Sequence, residues 1–305
     1  MRVHRQRGIA LVTALLITTL AVSAVASLFW HQQVQVRAME NQRLHLQTRW
    51  TLRAGLDWSR EILRDDGARS PELTTLDGAW NTQPPEIQLD RYFDRDSAAG
   101  AADGATLASH IVDAQSRYNL ANLASGRTLN LAEIRLYERL LASLHLDPAL
   151  ALRTALAVAA SQQGEAGVPQ QAALKRFDEL SIVAGYTPPV LAMLAAFVVL
   201  LPAPADLNLN TAAPELLAAV TQRSLPQARQ LAARRRQAYF RSMAELRGAL
   251  PDGAVLDGLR VGLRSDYFLV ESKIKLDRAE LDAVSLLYRP RASAGAIELV
   301  WSREE

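Results

Sequence analysis

From Ile9 to Trp30 no residue is charged, and most are Ala, Leu, Val or Thr. Wound as a helix, this stretch matches a hydrocarbon core of about 30 Å. Beyond Trp30 the pattern turns amphipathic. Val34, Val36, Met39, Leu46, Trp50 and Leu56 recur among Gln, Arg, Glu and His at helical spacing. Neither Gly nor Pro occurs between Ile9 and Ala54. The spacing therefore predicts one helix from Ile9 to about Leu63, roughly 80 Å long at about 1.5 Å per residue, half in lipid and half beyond it. Its outer half needs something to pack against.

The periodicity then lapses. Residues 65–104 read as irregular, with Pro71, Pro84 and Pro85 and turn signals around Asp94, Asp96 and Asp103. Thr106 to Asp113 (TLASHIVD) reads as a strand. Helical runs follow at Leu131 to Leu144, Pro148 to Gln162, Pro188 to Leu200, Pro214 to Thr221 and Leu225 to Phe240. The uncharged stretch Val190 to Leu201 is too short for a second span and reads as a buried core helix. Three short alternating segments close the chain: Tyr267 to Leu276, Ala283 to Arg289 and Ala296 to Ser302, separated by 277–282 and 290–295. They predict an antiparallel sheet, which needs an apolar cover on one face. The exported half of the long helix supplies it. The expected class is α+β: a long amino-terminal helix on a small antiparallel sheet, with a large inserted all-α domain. The expected division is a leader at 1–8, a transmembrane half at 9–30, an exported half at 31–64, an α+β domain from 65–128 and 264–305, and the insertion at 129–263.

Charge adds polarity to this picture. Arg2, Arg5 and Arg7 precede the span, so the amino terminus is expected in the cytoplasm and the bulk beyond the membrane. Without residues 1–8 the formal charge falls from +2 to −1, because three arginines are lost, and no global field for nucleic acid remains. An ordinary secretory signal is the competing reading of the same stretch. Ala24 to Ser27 offers small residues for cleavage, but the helical pattern runs through them uninterrupted. The chain has no Cys, which excludes disulfides and thiolate chemistry.

Two motifs stand out within the helical part. Asp206 to Leu217 (DLNLNTAAPELL) resembles the opening of helix-hairpin-helix repeats, with Asn210 or Thr211 placed to cap a helix starting near Pro214. Those repeats cradle a phosphate on a glycine hairpin, and Val220 to Pro226 has no glycine. Arg229, Arg234, Arg235, Arg236 and Arg241 leave a membrane-tethered nucleic-acid binder using 208–246 as the alternative function, although Arg234 to Arg236 point to different helix faces and such runs are usually solvated. A partial echo, Phe177 to Leu180 and Phe240 to Leu246, suggests related helical units in the insertion. No catalytic constellation is evident: the five histidines are scattered, and neither a nucleophile elbow nor HExxH nor a phosphate loop occurs. A non-enzyme is expected. Asp277, Glu280 and Asp282 cluster between strands and are the weak calcium candidates, against an ordinary acidic hairpin loop.

With these residues in view, the chain resembles the type II secretion minor pseudopilins of the K family. The resemblance rests on the RQRG/IALVTALL leader, DAQSRYNLANL at 113–123, the run 177–220 with FDEL, GYTP and NLNTAAPELLAAV, and the closing strands. It implies cleavage between Gly8 and Ile9 by a prepilin peptidase and methylation of the new amine on Ile9. Counted from Ile9, the fifth residue is Thr13, where most such subunits carry Glu; its absence implies a place at the pseudopilus tip, initiating assembly. The resemblance further implies an inner-membrane location, partnership with minor pseudopilins I and J and the major pseudopilin, and bound calcium, with ligands it does not assign. It leaves contact with exoprotein cargo or the outer-membrane channel open, and implies no nucleic-acid partner.

Overall fold

The computed structural model describes residues 6–82, 87–88, 105–162, 174–250, 256–291 and 296–304, with only the backbone path given at 6–10 and 87–88. Arg2, Arg5, Pro84, Pro85, Asp94, Asp96 and Asp103 lie outside the described residues. One helix, α1 (Gln6–Arg69), runs through both the apolar span and the amphipathic stretch. It continues a turn and a half past the expected end at Leu63. The short strands β1 (Ile87–Gln88) and β2 (Thr106–Asp113) follow.

The chain leaves the sheet at Asp113. It passes through β3 (Tyr118–Asn119), β4 (Ala124–Ser125) and β5 (Thr128–Leu129). Helices α2 (Leu131–Ser143), α3 (Leu150–Gln162) and α4 (Pro188–Leu194) come next. Then β6 (Val198–Val199) and β7 (Leu207–Asn208) precede α5 (Pro214–Thr221), α6 (Leu225–Gln237), α7 (Met243–Ala249) and β8 (Val261–Gly262). The sheet resumes with β9 (Tyr267–Leu276), β10 (Ala279–Tyr288) and β11 (Glu298–Glu304). Its order is β1-β2-β9-β10-β11, antiparallel throughout.

The strand before the excursion thus pairs directly with the strand after it, His110 opposite Glu271. That pairing makes the helical part an insertion into one sheet. Period-two alternation in β9 turns Phe268, Val270 and Ile274 toward α1, where they pack with Leu52, Leu56, Leu63, Leu107, Ile111 and Trp80. Gly55 permits the close approach, since a Cβ there would meet Ser109 Oγ at 3.1 Å. The opposite face of the sheet presents Leu269 and Leu286 to Val199 and Leu201 of the insertion. The insertion has its own larger core, in which Tyr118 and Tyr137 stack with centroids 5.6 Å apart and the Tyr137 hydroxyl meets that of Tyr186 at 2.8 Å.

Two sequence expectations fail locally. The apolar stretch 190–201 is not one helix: α4 stops at Leu194, and Val198–Val199 pairs in parallel with Tyr118–Asn119. β-branched Val198 and Val199, both buried, suit a core strand better than a helix end. The expected loop 277–282 is also much shorter. Register Ala279↔Leu276 leaves only Asp277 and Arg278 in the turn, with Asp277 at φ 54.

Candidate functional site: the buried joint and the exposed helix

Asp66, Thr74, Asp113, Asn208, Thr211, Ser265 and Arg289 are all buried where α1, the sheet and the insertion meet, and burial makes each depend on a partner. The Asp113 carboxylate, at the end of β2, accepts from Thr211 Oγ1 at 2.5 Å, Ser265 Oγ at 2.7 Å, Asn208 Nδ2 at 3.1 Å and the Gln115 amide at 2.8 Å. Burial pushes its pKa up, and those four donors oppose the shift. Asn208 Nδ2 also reaches Thr74 O at 3.0 Å. Beside it, Arg289 at the end of the sheet donates to Asp66 Oδ2 at 3.0 Å, Leu63 O at 3.3 Å, Thr74 Oγ1 at 2.9 Å and Ser265 O at 3.0 Å. Its guanidinium lies 4.8 Å from the Phe268 ring centroid. Burial raises the Asp66 pKa, and the bond and charge of Arg289 offset part of that rise. Gly78 closes the pocket: a Cβ there would sit 2.7 Å from Asp66 Oδ1 and 2.6 Å from Trp80 Nε1.

The amide side chains of the two motifs stand in for backbone. Gln115 donates to Asp206 O at 2.7 Å and accepts from the amides of Asp266 and Tyr267. Asn119 bridges Ala203 O and the Leu201 amide; Asn122 bridges Ala205 O and the Ala205 amide. Asn210 ties Phe240 at both its amide and its carbonyl. Each amide offers a donor and an acceptor, the same pair a peptide group offers, so an irregular segment is held as if it were in a ladder. Neither Asn210 nor Thr211 caps α5, as the sequence led us to expect. Ala213 occupies the cap position and Pro214 opens the helix, leaving Asn210 and Thr211 free for the joint.

Helices α5 and α6 do form a hairpin, but its turn is Gln222 in the left-handed region at φ 56, with Ser224 and Gln227 making the capping box. Arg235 corrects the reading of the arginine run as solvated surface. It is buried and donates to Leu209 O at 2.7 Å and Ala212 O at 2.8 Å; burial lowers its pKa to about 10, which leaves it charged at neutral pH. Arg229, Arg234, Arg236 and Arg241 are exposed.

The family profile described as Type II secretion system (T2SS), protein K, matches residues 207–263, the stretch from β7 through β8. The type II secretion system protein K of Pseudomonas aeruginosa is 27% identical over 314 aligned residues, covering 93% of this chain and 89% of that protein. The chain is thus similar to type II secretion proteins K, in one stretch of the insertion by the family profile and along most of its length by the relative. Its fold is similar to that of a chain in the crystal structure of the GspK-GspI-GspJ complex from the enterotoxigenic Escherichia coli type 2 secretion system. The two align at TM-score 0.62 and 17% identity over 88% of this chain and 99% of that one.

The apolar part of α1 is long and apolar enough to cross a membrane, and none of its spanning window is buried in the body. Gly8 and Ile9 lie within the helical backbone of α1, the Ile9 side chain outside the described residues; Thr13 is exposed on the span. Past the span, Met39, Leu46 and Trp50 stay exposed on the side of α1 away from Leu52, Leu56 and Leu63.

The calcium candidates do not form an oxygen cage. With the turn reduced to Asp277 and Arg278, Glu280 and Asp282 fall on β10, facing Lys273 at 2.9 and 3.8 Å. Among the described residues no three histidines or carboxylates converge to hold an ion. A site of six to eight oxygens does not fit there. The residues missed from the sequence were Asp66, Thr74, Ser265 and Arg289. Asp66 and Ser265 stand among other charged residues, next to Asp65 and between Arg264 and Asp266, so no pattern singles them out.

Proposed function

We propose that this chain is the tip subunit of a type II secretion pseudopilus: a minor pseudopilin rooted in the inner membrane by α1, amino terminus cytoplasmic and body exported. The observation that carries the reading is the large helical insertion fused through a buried joint to the sheet that α1 crosses. A subunit stacked above would meet this insertion. Thr13 supports the same place. A carboxylate within a bilayer costs about 2.5 to 3.5 kcal/mol on insertion scales and is tolerated where it pairs with a cation such as a neighbour's terminal amine. A threonine brings no negative charge to pair with the amine of a subunit ahead.

On this reading the precursor is cut between Gly8 and Ile9, the new amine on Ile9 is methylated, and the exposed α1 surface packs against helices of minor pseudopilins I and J, the subunits with which the Escherichia coli protein was crystallised. The role is mechanical and requires no catalysis. Electron microscopy of pseudopili carrying an affinity label on the insertion tests it. Label at a single end is expected; label along the shaft overturns the assignment.

A further inference from the structure

We propose that the groove between α1 and the edge strand β11 seats an extended segment of a partner pseudopilin, which continues the sheet and presents acidic side chains to α1. The inference rests on the tip-subunit reading and adds the chemistry of one contact.

Three observations lead there. First, β11 ends the sheet, and among the described residues no strand pairs its outer edge. An open edge is a row of unmet backbone donors and acceptors, which proteins ordinarily blunt with charge, proline or a cover. Here Leu299 and Val300 are 40% and 39% exposed, and beyond the register shift between Leu286 and Leu287 the residues Trp301 to Glu304 stay in continuous register with β10, their other edge unpaired among the described residues. Second, a groove of about 270 Å³ lies against this strand, with Leu52, Leu56 and Leu299 as apolar lining and Arg49, Arg53 and Arg60 along the helix. A helix beside an open edge strand is the arrangement in which peptides add to a sheet, backbone bonds giving affinity and alternate side chains giving specificity.

Third, the groove has surplus positive charge. Arg49 pairs with Glu304 at 3.3 Å and Arg60 with Asp57 at 2.6 Å, whereas among the described residues Arg53 has no carboxylate partner and lies 5.8 Å from the Trp50 ring centroid. Complementarity calls for an occupant with carboxylates on the helix side and apolar residues over the floor. Position favours another membrane-rooted subunit over a soluble cargo. At about 1.5 Å per residue, Arg49 stands only about 30 Å along α1 from Trp30, where a subunit anchored alongside carries its own body.

The test uses the full-length chain co-produced with the two other minor pseudopilins and extracted in detergent. A photo-crosslinking residue replaces Leu299, with Ile182 on the insertion as the control position. The expected product at Leu299 is an extended, carboxylate-bearing peptide of a minor pseudopilin. Arg53→Glu, on an exposed position, is expected to lower the retained complex at least tenfold, with recovery when the crosslinked partner carboxylate is changed to lysine. Capture of a second copy of this chain, or retention of the partners by Arg53→Glu at the unaltered level, overturns the proposal while leaving the tip reading intact. Failure of even the unaltered chain to bind either subunit overturns both.

Discussion

Arg289 and Asp66, 223 residues apart, form a buried ion pair at 3.0 Å that fastens the last turns of α1 to the end of β10. The pair lies where the membrane helix, the sheet and the insertion meet, so force along α1 reaches the insertion through charge-assisted bonds rather than through a flexible linker.

Removing one partner of such a pair leaves a buried charge. Arg289→Met is therefore expected to lower unfolding free energy by about 3 to 5 kcal/mol, while Asp66→Asn, which keeps an acceptor, costs less. Denaturant unfolding of the detergent-extracted protein reads both. Equal, small effects would show that the pair is not buried.

Glu133 gives a pH signature. Its Oε1 accepts from the Arg260 amide at 2.5 Å, its buried Oε2 has no partner, and burial raises its pKa from 4.5 to about 7. A carboxyl raised in the folded state contributes stability that is fully present below about pH 4.5 and lost as pH rises through about 7. The unaltered chain should thus lose on the order of 3 kcal/mol relative to Glu133→Gln between these limits. A stability difference that does not change with pH contradicts the placement.

The arginine run separates structure from binding. Arg235→Ala strands Leu209 O and Ala212 O and is expected to cost about 2 to 4 kcal/mol, whereas Arg234→Ala and Arg236→Ala stay within about 0.5 kcal/mol. None of the three should alter association with duplex DNA, which is expected to be absent. Salt-dependent binding lost in Arg234→Ala would revive a nucleic-acid role.

Thr13→Glu restores the usual carboxylate. The variant is expected to insert and be processed but to appear along the shaft of labelled pseudopili as well as at the end. Label still confined to the end would show that Thr13 does not set the position.

Much of this architecture is legible in the sequence because apolar periodicity reports it. β2 spans Thr106–Asp113 and β9 spans Tyr267–Leu276, the limits read from alternation, and α1 follows from uninterrupted helical spacing. The joint is not legible. Asp113, Asn208 and Ser265 are single polar residues with no period, and their partners lie 57 to 152 residues away. The Asp277–Arg278 turn escaped notice because it lacks the Asn-Gly or Asp-Gly signature, Asp277 taking the left-handed conformation itself. The inward turn of Arg235 is not legible either, because a charge run does not reveal which member is buried.

How the chain begins once it reaches the membrane decides whether it is a processed pseudopilin. Intact-mass and amino-terminal analysis of protein extracted from membranes of cells with an active secretion system reads this in one step, and Gly8→Val supplies the control, expected to remain uncut and to abolish secretion. The account predicts a chain starting at Ile9 with a methylated amine. A chain still starting at Met1, or one cut after the small residues 24–27, would contradict it.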